Sequence, residues 1–118
     1  IGVSQQIIVV EYGSEEDEEA PKKLYAVINP EIISASEEKI VGTEGCLSIP
    51  RIAGEVERNE KIVVKGMNRQ GKLVKFKLSG WIARIFQHEI DHLDGILYTD
   101  RAQKVWRLQD DEEMLDTV

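Results

Sequence analysis

QHEIDHLDG, residues 87–95, holds both histidines of a 118-residue chain, four positions apart, with a glutamate directly after the first. The residues around it read as one helix. Ser79 suits its start and Gly95 its end, and Trp81, Ile82, Ile85, Phe86, Glu89, His92 and Leu93 recur between them at helical spacing. At about 100° per residue, His88 and His92 stand about 40° apart on the side of the apolar stripe, so both are predicted on the buried face. Two readings follow. Both are core histidines whose ring nitrogens find backbone partners, or both face a metal ion. Two imidazoles one turn apart on a dry face leave several nitrogens needing partners, a cost that a cation removes for both at once. Glu89, one residue past His88, then stands where a carboxylate handles protons of bound water without being a ligand, which is the logic of HExxH.

Before the helix the chain reads as strands. Gln6 to Tyr12, Leu24 to Asn29 and, beyond an Asn29-Pro30 turn, Glu31 to Ser36 are candidates. Glu55 to Lys65 and Lys72 to Leu78 form a long hairpin about the turn Asn68-Arg69-Gln70-Gly71. The acidic run Glu15 to Glu19 reads as a solvated loop.

Composition bounds the function. A chain of this length with 42% hydrophobic residues makes one domain with a modest core. A net charge of −7 speaks against a nucleic-acid surface, which needs clustered Lys and Arg. The single cysteine, Cys46, forms no internal disulfide, so the setting is expected to be reducing and intracellular. No apolar run approaches the ~20 residues that cross a bilayer, and the N-terminus has no secretory pattern, so the chain reads as soluble. It opens on Ile1 rather than Met, and sequence upstream is expected.

A catalytic metal needs a third protein ligand. In HExxHxxGxxH Gly95 matches, but the last ligand position is Tyr98. A downstream glutamate, Glu112 or Glu113, is one alternative, although the stretch Arg107 to Val118 reads as a frayed acidic end. Upstream, Cys46 in EGCLSIP (44–50) is the other; its bland reading is a small buried hydrophobe. Gly45 permits close backbone approach there, Leu47 offers an N–H beside the sulfur, and Pro50 stiffens the exit.

EGCLSIP followed by QHEIDHLDG resembles the peptide deformylases, over nearly all of residues 1 to 105. The resemblance implies an α+β fold with antiparallel or mixed sheets around a central HExxH helix, residues 1–105 as the catalytic domain and 106–118 as an acidic tail. It implies Cys46, His88 and His92 as ligands of one divalent metal, Fe²⁺ natively, with Zn²⁺, Ni²⁺ or Co²⁺ as possible occupants. It implies Glu89 as the proton-transfer residue, Leu47 N–H as oxyanion donor, and Gly45 with Leu47 as the edge that receives the peptide. The implied reaction removes formate from N-formylmethionyl peptides; a bacterial cytoplasm or an organelle is the expected setting, and the acidic charge with no long apolar run speaks against direct nucleic-acid or membrane binding. Trp81 and Ile85 stand where they border a methionine pocket or are plain core. At second rank, Glu44 and Arg58 are candidates for an ion pair anchoring the cysteine loop, and Asp91 for orienting the helix or a histidine.

The chain departs from the family pattern in one place. The motif GxGLAAxQ, whose glutamine assists at the formyl oxygen, belongs just before Ile1, and Gln5 and Gln6 lack the glycine-rich context to replace it. The chain is either a fragment or a naturally short relative, with impaired activity expected by itself; a complete member is expected to be a monomer and a truncated one to self-associate. The competing classes are another HExxH hydrolase using Glu112 or Glu113, and a non-catalytic relative that binds metal or a partner.

Overall fold

A computed structural model describes residues 6–13, 21–46 and 49–107, with only the backbone described at 46 and 49–51. The elements are β1 (Ile7–Tyr12), β2 (Lys23–Ala35), β3 (Lys39–Cys46), β4 (Ile49–Asn59), β5 (Lys61–Met67), β6 (Leu73–Ser79), α1 (Gly80–Leu93), α2 (Tyr98–Arg101) and β7 (Lys104–Arg107). They form two sheets, β1-β2-β5-β6 and β3-β4-β7. Every pairing among the described strands is antiparallel.

Strand alternation builds the first sheet. Ile8 and Val10 of β1, Val27 of β2 and Ile62 and Val64 of β5 turn inward and join Ala83, Phe86 and Ile90 of α1 in the main core. A smaller cluster of Val56 and Tyr98, with Ala102 against it, closes the second sheet. Gly66 shows how tightly β5 meets β2: a Cβ there would strike Val27 Cγ1 and stand 3.0 Å from the Ile28 carbonyl oxygen. Val27 is fully buried and the carbonyl is backbone, so neither yields. Gly66→Ala is expected to cost about 1–3 kcal/mol, measured by urea unfolding. An unchanged midpoint would show that β2 gives way at Val27 and that the close approach does not require glycine.

Three expectations about strands change. Asn29-Pro30 is not a turn: Asn29 takes φ 52° inside a continuous β2, and the register against β5 shifts between Ile28 and Glu31. One left-handed residue there makes a bulge, which bends the strand without ending it. Glu55 to Lys65 is not one strand but two, broken at Glu60 and divided between the sheets. Tertiary bonds hold that corner, with Gln87 of α1 bonded to both the Asn59 N–H and its carbonyl. β3 was not expected at all. Its glycines weaken the strand signal, yet it pairs with β4 along its whole length.

The hairpin turn and helix end follow the sequence closely. Asn68 Oδ1 accepts from the N–H groups of Gln70 and Lys72, and Gly71 takes φ 79°. At the end of α1, Gly95 takes φ 78°, with Gly95 N–H bonded to the His92 carbonyl and Ile96 N–H to that of Asp91, a Schellman closure. Ser79 occupies the N-cap position, but its side chain caps nothing. β7 carries the second sheet past residue 105 to Arg107.

Candidate metal centre

Two stripes of α1 are buried, and only one is apolar. Ala83, Phe86 and Ile90 face the four-stranded sheet, whereas Arg84, Gln87, His88 and Asp91 form a polar stripe against β3 and β4. His88 is therefore buried, as the helical spacing predicts, but among charges rather than aliphatic side chains. His92 is half-buried, with its ring centroid 4.6 Å from that of His88, and Glu89 is also half-buried.

The polar stripe organises around Glu44 of β3, which is fully buried. Arg58 of β4 grips it through Nε at 3.0 Å and Nη2 at 2.9 Å, Arg84 donates to it at 2.5 Å, and His88 Nδ1 lies 2.9 Å from Oε1. Burial pushes this carboxyl up, but the bonds from His88, Arg58 and Arg84 and the charge of Arg58 outweigh it and hold its pKa at about 2. Arg58 loses cationic stability to burial and regains more from Glu44 and Asp91, so its pKa is raised. An ionised Glu44 accepts from His88 Nδ1, which assigns the proton to Nδ1 and the lone pair to Nε2. The carboxylate-bound histidine is thus in the tautomer that ligates metal through Nε2.

Cys46 is the last residue of β3, two positions beyond Glu44, where the pairing with β4 shifts register after Gly45. The strand that delivers Glu44 to His88 thus ends two residues later at Cys46. Gly45 is buried on β3, an edge strand of its sheet. Leu47, Gln5, Glu112 and Glu113 lie outside the described residues, as does the Cys46 side chain. Among the described residues, no group of three His, Cys, Asp or Glu side chains is arranged for a metal ion.

Several other sequence expectations resolve here. Glu44 and Arg58 do pair, but buried rather than solvated. Asp91 accepts from Arg58 at 2.5 Å and from Arg101 at 2.5 and 3.0 Å, which ties α1 to β4 and α2. Gln6 gives its amide to the Leu93 carbonyl at the end of α1. Ile85 packs on the main core, while Trp81 lines a cavity of about 250 Å³ with Ile40, Val41, Gly42, Arg58 and Arg84. The roles of Arg84, Arg101 and Tyr98 were missed; only the helical spacing of Arg84 from His88 gave any signal.

The described residues thus form an α+β fold in which the helix that carries HExxH is bonded to a strand that ends in a cysteine. The chain belongs to the Polypeptide deformylase family, whose pattern matches residues 1–107. A curated peptide deformylase from Symbiobacterium thermophilum is 49% identical over 113 residues, covering 96% of this chain and 49% of that protein. The crystal structure of a probable peptide deformylase from synechococcus phage S-SSM7 superposes with TM-score 0.72 at 47% identity, covering 81% of this chain and 63% of that one. The Met-Ala-Ser-bound class I type b peptide deformylase from Acinetobacter baumannii gives TM-score 0.71 at 42% identity, covering 81% and 62%. The chain thus spans about half the length of the first relative and less than two thirds of these two structures.

Proposed function

We propose that this chain carries the metal centre of a peptide deformylase, which hydrolyses the formyl amide of N-formylmethionyl peptides to formate and a free amino terminus. The observation that carries the reading is the Glu44–His88 bond, which ties the first residue of the EGCLS motif, on β3, to the HExxH helix in a deformylase-family fold. Cys46 as thiolate, His88 through Nε2 and His92 would hold one divalent ion. That donor set suits Fe²⁺, proposed as native, and also Zn²⁺, Ni²⁺ or Co²⁺. When bound, the ion supplies Lewis acidity that polarises the formyl carbonyl and acidifies a water.

The protein's own groups do the rest. Glu89 takes a proton from the attacking water and returns it to the departing amine nitrogen. The Leu47 N–H donates to the formyl oxygen as it gathers charge. Gly45, on an edge strand with no side chain in the way, receives the peptide backbone by strand addition. The peptide bound in the Acinetobacter relative, Met-Ala-Ser, has the sequence of a deformylated amino terminus and supports this substrate class. The setting proposed is a bacterial cytoplasm or an organelle. Among the described residues no helix is long and apolar enough to cross a membrane.

Metal content per chain tests the ligand set. The unsubstituted chain and Glu112→Ala are expected to bind a single ion with similar affinity, and Cys46→Ser to lose it. Full occupancy in Cys46→Ser together with loss in Glu112→Ala would move the third ligand to the acidic tail. Formate release from formyl-Met-Ala-Ser, measured alongside, separates an enzyme from a metal-binding relative.

A further inference from the structure

We propose that the short helix α2 is a positioning element for His88, acting on the ring from two directions; this rests on His88 being the ligand proposed above. A ligand imidazole must be fixed in the direction its nitrogen points and in the tilt of its plane. Both constraints run through α2.

The tilt is set by Tyr98. Its ring is buried and lies nearly parallel to that of His88, at 22° with centroids 5.9 Å apart. Its hydroxyl donates to the Ile52 carbonyl of β4 at 2.6 Å, which anchors the stacking surface to the second sheet.

The direction is set by Arg101, through a continuous chain of charge-assisted bonds. Arg101 clasps Asp91 with Nε at 2.5 Å and Nη2 at 3.0 Å. Asp91 accepts from Arg58 Nη1 at 2.5 Å, Arg58 forks onto Glu44, and the Glu44 oxygen that takes Arg58 Nη2 also takes His88 Nδ1. Without Arg101, Asp91 keeps a single guanidinium and is free to rotate. Arg58 then loses the fixed acceptor at Nη1 that holds its fork square to Glu44. Arg101 is partly exposed and lies outside the ligand set, so it can be changed without removing a donor from the ion.

The chain's two histidines make ¹⁵N-histidine NMR a direct readout. In the metal-free chain His88 is expected as one tautomer, with the proton on Nδ1. Arg101→Ala is expected to give mixed tautomers and to weaken Co²⁺ binding, read by chelator competition, by about tenfold. Arg101→Lys keeps the charge but not the fork and should recover part of both. Tyr98→Phe keeps the stacked face and should retain the single tautomer. If Arg101→Ala leaves tautomer and Co²⁺ affinity unchanged, even with a lowered thermal midpoint, the role is only structural and the proposal is overturned. If the unsubstituted chain binds no Co²⁺, the metal reading fails, and the tautomers alone decide the positioning role.

Discussion

Glu89→Gln is expected to lower formyl-Met-peptide turnover by about 10²–10⁴-fold relative to the unsubstituted chain, with metal content and thermal midpoint unchanged. The contrast with the other acidic groups of the helix motivates the prediction. Asp91, two residues on, sits between two guanidinium groups and is part of the structure. Glu89 is half-buried and does not belong to the Glu44–Asp91 network. The amide keeps the shape and hydrogen-bonding reach of the carboxylate but cannot hold a proton between water and amine. A pure proton-transfer role therefore removes kcat and spares binding. Turnover retained within about threefold would remove Glu89 from the chemistry. Loss of metal in the same variant would instead make it a ligand.

The sequence was most informative where structure depends on neighbours along the chain. Gly95 closes α1, Asn68 and Gly71 turn the β5–β6 hairpin, and His88 stands on a buried face because of spacings of a few residues. It was least informative where partners lie far apart. β3 has a weak strand pattern because it accommodates other needs: Gly42 leaves room for Arg84, whose guanidinium carbon lies 2.8 Å from where a Cβ would be. The break at Glu60 depends on Gln87, and the bulge at Asn29 lets β2 continue where a local reading of Asn-Pro gives a turn. The site divides in the same way. HExxH and EGCLS were legible as motifs. That Glu44 would be the buried hub joining them was not, since Arg58, Arg84 and His88 reach it from 14, 40 and 44 residues away. A carboxylate in a polar sequence reads as solvated until the fold surrounds it with donors.

That hub yields the largest stability effect. Glu44→Gln is expected to destabilise the fold by about 3–5 kcal/mol, because it leaves buried Arg84 without its counter-charge, leaves buried Arg58 with Asp91 alone, and turns an amide donor toward guanidinium donors. The same contacts set a pH dependence of similar size. The carboxyl is held at about 2 in the folded protein against an ordinary 4.5, a difference of about 3 kcal/mol. Because the folded pKa is the lower one, the unfolded chain takes up the proton first as pH falls. The contribution is full above about 4.5, declines below it, and is gone below about 2. The stability gap between the unsubstituted chain and Glu44→Gln, measured by urea unfolding, should therefore be largest near neutrality and shrink as pH falls through that window. Titration of the other carboxylates acts on both chains and largely cancels from the gap. A gap that stays constant down to pH of about 2 would mean that Glu44 is not the ionised centre of the network, and that the His88 Nδ1 proton is fixed by something else.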